Sequence, residues 1–189
     1  MFSAREAAAL GGVTIRGVNK AIEQGVIEAT KVGRQTAIPD TELAPLALLD
    51  EVSKSLRLAL DQKRQIRNWL AHLPITQLEK PEQFELAPAL MVFVNEQVAE
   101  RVREAVRYAE LREKYIDSDP ETKGGVPVIR GTRVTASAVA ARLDAGDTIE
   151  SLMEDYPDVP GEALEVAATY ARTHPRRGRP PRPSRPVGR

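Results

Sequence analysis

The sequence predicts a mainly α-helical fold with short β-hairpins, of the α+β class, and three observations carry that expectation. Helical stripes opened by capping residues recur along the chain, as at Ser3 with Glu6 and at Thr135 before Ala136. Short apolar runs meet glycine turns at Gly33-Arg34 and at Gly131, which gives them hairpin character. The last stretch, 173–189, holds six arginines, five prolines and no acid, so it has nothing with which to build a core. The 189 residues therefore divide into a head at 1–44, a helical middle at 45–114 with one short strand, and a three-helix unit preceded by a hairpin at 115–172. A tail at 173–189 follows, expected to be disordered with polyproline II character.

In the head, Ser3 and Glu6 form a capping box that opens a helix from Ala4 to Leu10, and Gly11-Gly12 ends it. Thr14 caps a second helix running to about Gln24. Ile15, Val18 and Ile22 fall on one stripe of that helix, and Arg16, Asn19, Lys20, Glu23 and Gln24 occupy the other side. Gly25 stops it. Val26 to Val32 and Gln35 to Ile38 read as two strands around Gly33-Arg34. Helix, glycine turn, helix and hairpin within 44 residues amount to a small winged helix-turn-helix.

In the middle, Leu46, Leu49, Val52, Leu56 and Leu60 repeat at helical spacing, and a helix from Asp61 or Gln62 to Leu73 stops at Pro74. Pro74, Pro81 and Pro88 punctuate a loop-rich stretch, and Leu90 to Val94 is the one strand-like run. Asn95 caps a long helix from Glu96 to Tyr115 with the stripe Val98, Val102, Val106 and Ala109. Glu100 with Arg103, and Glu110 with Lys114, are expected solvated pairs. In the C-terminal unit Val126, Val128, Ile129 and Val134 read as short strand around a positive-φ Gly131. Thr135 and Thr148 (or Asp147) cap two helices, and Pro160 suits the first turn of a third. Val139, Leu143, Ile149, Leu152, Met153, Leu164, Val166, Ala167 and Tyr170 are the expected core. Asp144, Asp147, Glu150, Glu154, Asp155, Asp158, Glu162 and Glu165 are expected at the surface, an acidity suited to protein contacts rather than to DNA.

Composition excludes several function classes. Without cysteine there is no disulfide framework and no thiolate metal site. His72 and His174 are the two histidines, and neither has a partner at metal-ligand spacing, which leaves little for a zinc hydrolase or a Ser-His-Asp triad. No glycine-rich phosphate loop is present. The chain is expected not to be an enzyme and to need no cofactor or metal. No run of 18 apolar residues exists and the first residues are not a signal peptide, so a soluble, cytoplasmic protein without membrane contact is expected. The zero net charge hides an asymmetry: residues 1–172 carry 21 Lys/Arg against 27 Asp/Glu, a balance of −6, and the tail carries +6. A basic tail on an acidic body is the pattern of an interaction segment.

The string Val126-Pro127-Val128-Ile129-Arg130-Gly131-Thr132-Arg133-Val134 resembles the signature of the antitoxin-like family numbered 433 among the domains of unknown function. The likeness continues through Ile116 to Pro120, Leu143 to Glu150, Asp155-Tyr156-Pro157 and the helix Glu162 to Arg172, and so covers about residues 115–173. The head, through Glu6-Ala7-Ala8-Ala9, resembles that of the excisionase and MerR proteins. The first resemblance implies a VapB-type antitoxin of a type II toxin–antitoxin system, which neutralises a PIN-type ribonuclease toxin and represses its own operon by binding operator DNA. In the helix-turn-helix head the polar face of the second helix and the hairpin make Arg16, Asn19, Lys20, Gln24 and Arg34 the DNA-binding candidates, since Arg suits guanine edges and Asn or Gln adenine edges. Arg176, Arg177, Arg179, Arg182 and Arg185 are the toxin-binding candidates, because an arginine strand matches an acidic, metal-binding nuclease cleft. A homodimer or higher even oligomer is expected, with Leu90 to Val94, Val98 to Val106 and Val126 to Val134 as candidate interfaces and strand exchange at Pro127 to Arg133 as one form of it. Two alternatives stay open: a stand-alone helix-turn-helix regulator without a toxin, and a nucleic-acid-binding protein whose tail tracks phosphates.

Overall fold

The computed structural model describes residues 1–33, 35–77, 80–118 and 125–175. Among them lie eight α-helices and three small antiparallel sheets, so the chain is mainly helical and of the α+β class.

Strand β1 (Phe2–Ser3) leads directly into α1 (Ala4–Gly11), where Ser3 Oγ accepts from the Glu6 N–H and Glu6 Oε2 accepts from the Ser3 N–H at 2.8 Å. Gly12, at φ 70°, turns the chain. Thr14 Oγ1 then accepts from the Gly17 N–H at 3.0 Å and opens α2 (Ile15–Glu23). β2 (Thr30–Val32) and β3 (Gln35–Ile38) form an antiparallel hairpin, and β1 adds to its far side by pairing Phe2 with Ile38. Two expectations shift here. Ile15 is 45% exposed, so the inner stripe of α2 is Val18 with Ala21 and Ile22. Val26 and Ile27 are buried loop residues rather than strand, held by bonds from their N–H groups to the Ala21 carbonyl.

After a 3-10 turn at Asp40–Glu42 come α3 (Leu43–Ser53) and α4 (Leu60–Leu70). The leucine stripe suggested continuity, but the chain leaves helix after Ser53, and Leu56 and Leu60 are exposed. The middle holds two strands, not one: β4 (Glu82–Ala87) pairs with β5 (Leu90–Val94), with a bulge between Glu85 and Ala87. Phe84 of β4 stacks on Trp69 of α4 with ring centroids 5.4 Å apart. Asn95 caps α5 (Glu96–Tyr115), its Oδ1 accepting from the Val98 N–H at 3.0 Å. Ala105 and Tyr108 are buried beside Val98 and Val102, a wider face than the expected stripe. Glu100 pairs with Arg103 as expected, whereas Lys114 turns to Glu162 instead of Glu110.

In the C-terminal unit β6 (Ile116–Asp117) pairs with β7 (Val128–Ile129), and the expected longer strand is confined to these residues and a bridge between Val128 and Thr135. Gly131, at φ 75°, makes the turn that the signature string requires. Helices α6 (Ala136–Asp144), α7 (Ile149–Asp155) and α8 (Gly161–Thr173) follow, opened by Thr135, by Thr148 and by Pro160 as the cap itself rather than in the first turn. Val139, Leu152, Leu164, Val166 and Ala167 are buried, Leu143, Ile149 and Tyr170 partly so, and Met153 is exposed, against expectation. Helix α8 is the hub, packing on α6, α7, α5 and the start of α1. Among the described residues the buried side chains form one connected core from Phe2 to Ala168, and no helix is long and apolar enough to cross a membrane.

Candidate nucleic-acid interface and its anchoring

Helix α2 buries Val18 and leaves Arg16, Asn19 and Lys20 exposed and Gln24 half-buried. At 100° per residue Arg16, Lys20 and Glu23 lie nearest the side opposite Val18, with Asn19 on one flank and Gln24 on the other. That flank opens on a groove of about 180 Å³ between α2, α3 and α4, which Thr14, Gly17, Asp50 and Lys63 also line. Lys31 stands on the exposed strand β2 of the adjoining hairpin. The structure thus places three of the five DNA-binding candidates on α2 and a fourth, Gln24, at its C-cap. Arg34 lies outside the described residues, as do Arg176, Arg177, Arg179, Arg182 and Arg185.

Several side chains that hold this helix in place have partners far off in sequence. Arg64 of α4 donates from Nη2 to the Gln24 carbonyl at 2.9 Å and from Nε to the Gly25 carbonyl at 3.4 Å. A guanidinium there satisfies the end of α2 and complements its dipole. Three residues on, Arg67 donates to both oxygens of Glu42, at 3.1 and 3.0 Å from Nε, and also meets Glu28 at 2.8 Å. The Glu42 bonds raise the guanidinium of Arg67 above its ordinary value. This fork ties α4 to the segment that leaves the hairpin.

Glu6 plays the corresponding part on the other side of the head. Its side chain is only 1% exposed. Besides the cap bond to Ser3, Oε1 accepts from the Tyr108 hydroxyl at 3.0 Å and from Arg112 Nη1 at 2.6 Å, both on α5. His174 Nε2 lies 3.8 Å from Oε2. Burial pushes the carboxyl upward, but the Ser3 N–H and the Arg112 guanidinium outweigh it and hold Glu6 below its ordinary value. Burial, followed by the Glu6 charge, pushes the Tyr108 hydroxyl up. Arg112 also donates to the Met1 carbonyl at 2.9 Å and sits over the Phe2 ring at 5.7 Å. His174 stacks on Tyr170 of α8 at 4.1 Å between centroids. The head, the long helix and the end of α8 therefore converge on one carboxylate.

A cleft of about 570 Å³ runs beside this junction, walled by Val32, Thr36 and Ala37 of the hairpin, by Arg112, and by Arg130 of the signature string. Arg130 donates to the Glu113 carbonyl at 3.0 Å, and its own N–H bonds the Tyr115 carbonyl at 2.7 Å. On the outer side of the unit Arg142 bridges Asp147 and Asp155, and Arg172 meets Asp144 at 2.7 Å. The expected acidic surface is thus partly neutralised by the unit's own arginines, while Glu150, Glu154, Asp158 and Glu165 remain exposed. Among the described residues no group of three or more His, Cys, Asp or Glu is placed to hold a metal ion.

Comparison with known proteins bears on this C-terminal unit. A protein of Sinorhizobium fredii described as "Uncharacterized protein y4eO" is 41% identical over 66 residues, which are 35% of this chain and 30% of that protein. The matched stretch is thus less than a third of that relative's length. No solved structure matches the chain. Residues 116–171, from β6 almost to the end of α8, match the model of the family described as "Protein of unknown function (DUF433)", the segment to which the signature string had pointed.

Proposed function

We propose that the chain is the antitoxin of a type II toxin–antitoxin pair, binding the operator of its own operon through the head and neutralising a PIN-type ribonuclease through its arginine-rich end. The observation that carries the first half is the pairing of an exposed Arg16/Asn19/Lys20 helix face with an adjoining β-hairpin, with Arg64 holding the end of α2 and Glu6 tying α1 to α5. This pairing supports the winged helix-turn-helix reading, in which the second helix enters the major groove and the hairpin approaches the backbone. The second half rests on the likeness of residues 116–171 to the DUF433 family and on the tail's charge, +6 against a body of −6. Arg176, Arg177, Arg179, Arg182 and Arg185 fit an acidic nuclease cleft by bidentate contact. Balanced charge in residues 1–44, five basic and five acidic, makes non-specific phosphate attraction modest, so base contacts from α2 must supply much of the operator affinity.

The test is a footprint and titration on the DNA upstream of the chain's own gene. Arg16→Ala and Asn19→Ala are each expected to weaken specific binding by about 1–3 kcal/mol and to relax preference at one base pair. Affinity and footprint unchanged in both variants would remove α2 from DNA recognition.

A further inference from the structure

We infer that the outer edge of β5 is a homodimer seam, at which two copies of the chain join their β4–β5 hairpins into one four-stranded antiparallel sheet. Strand β5, Leu90-Met91-Val92-Phe93-Val94, bonds to β4 along one edge. Along the other it makes no backbone hydrogen bond to any described residue. Exposed edges are normally protected by charge, proline or a bulge. β4 has such protection, with Glu82, Glu85 and the bulge at Glu85/Ala87, whereas β5 has none. Its inner residues Val92 and Val94 are buried by the chain itself, but Met91 and Phe93 stand 38% and 51% exposed on the outer face.

The occupant that fits is a second copy. Two-fold antiparallel pairing about Val92 sets Met91 opposite the partner's Phe93 twice, and Leu90 opposite the partner's Val94 twice. Every residue in the seam is uncharged, which suits an apolar strand such as its own copy, and Glu82, Glu85 and Glu96 beside it would repel an acidic strand. Sulfur–aromatic pairs across a seam are favourable. The seam gives a structural form to the two-fold pairing that operator recognition calls for, yet it is tested without DNA or toxin, so either idea can fail alone.

The experiment uses the full chain at micromolar concentration in light scattering. Wild type is expected at the dimer mass, and Phe93→Lys, which replaces an exposed side chain, at the monomer mass with unchanged helical circular dichroism. The chain has no cysteine, so register can be read by oxidation. Directly opposed positions lie within disulfide reach and diagonal ones, ~7–8 Å apart, do not. The double variant Met91→Cys/Phe93→Cys is expected to cross-link to a covalent dimer, and each single variant is not. A monomeric wild type, a Phe93→Lys variant that stays dimeric, or single variants that cross-link as well as the double would each overturn the assignment.

Discussion

Replacing Glu6 by alanine tests how the head is joined to the rest of the molecule. The substitution removes bonds at 2.8 Å to Ser3, 3.0 Å to Tyr108 and 2.6 Å to Arg112. Loss of the cap bond costs about 1 kcal/mol. Removing one partner of a fully buried ion pair costs about 3–5 kcal/mol, since the other charge is stranded. Here the Arg112 side chain is 23% exposed and recovers part of that from water, which brings the expected total to about 2–4 kcal/mol. Urea unfolding read by the one tryptophan, Trp69, and by circular dichroism would measure it. Because the depressed Glu6 carboxyl titrates below its unfolded value of 4.5, its stabilisation is fully present above that pH. It is lost as pH falls through the folded value. Wild type should therefore lose stability below about pH 4.5 more steeply than Glu6→Gln, which cannot titrate. A Glu6→Ala cost under ~0.5 kcal/mol, or parallel acid curves for wild type and Glu6→Gln, would refute the reasoning.

Two further outcomes follow from the same structure. Arg67→Met strands the Glu42 carboxylate, which is 3% exposed, and should cost about 2–4 kcal/mol; adding Glu42→Gln should recover much of it, and an additive double-mutant cycle would show the two are uncoupled. Leu164→Ala empties a fully buried site at the centre of the C-terminal unit and should cost about 2–5 kcal/mol, while Met153→Ala at an exposed position should stay within ~0.5 kcal/mol in the same denaturation assay.

What the sequence made legible was the local chemistry. The caps at Ser3, Thr14, Asn95, Thr135 and Thr148 bond to N–H groups three residues on, so each was readable from a window of a few residues. The positive φ at Gly131 was readable for the same reason. Strand β4 was hidden because Pro81 and Pro88 bracket it, and prolines read as loop. β1 is two residues long and exists only through its pairing with β3. The break after Ser53 has neither glycine nor proline to announce it, and Leu56 and Leu60 preserve helical spacing though both stay exposed.

The candidate site divides the same way. The polar face of α2 follows from its 3.6-residue period, yet Ile15, apolar and expected inside, lies at the surface, 45% exposed. The bracing of the head was not readable. Arg64 and Gln24 are 40 residues apart, and Glu6 and Arg112 are 106 apart. Glu6 was seen as a cap, and its second pair of bonds depends on tertiary packing that no local pattern encodes. A cation suited to a helix C-terminus is a weak signal without knowing which helix it will meet.

The proposed division of labour between head and tail is tested most directly with one truncation. The full chain and a form lacking residues 176–189, which keeps His174 on Glu6 and Tyr170, would be co-expressed with the proposed partner, a PIN-type ribonuclease sought among the products of adjacent genes, with RNA cleavage and operator binding measured on both. The account predicts that truncation leaves operator binding nearly intact and abolishes or strongly weakens protection from the ribonuclease. Protection that survives truncation, or operator affinity that falls with a salt dependence weaker by several units while protection persists, would contradict it.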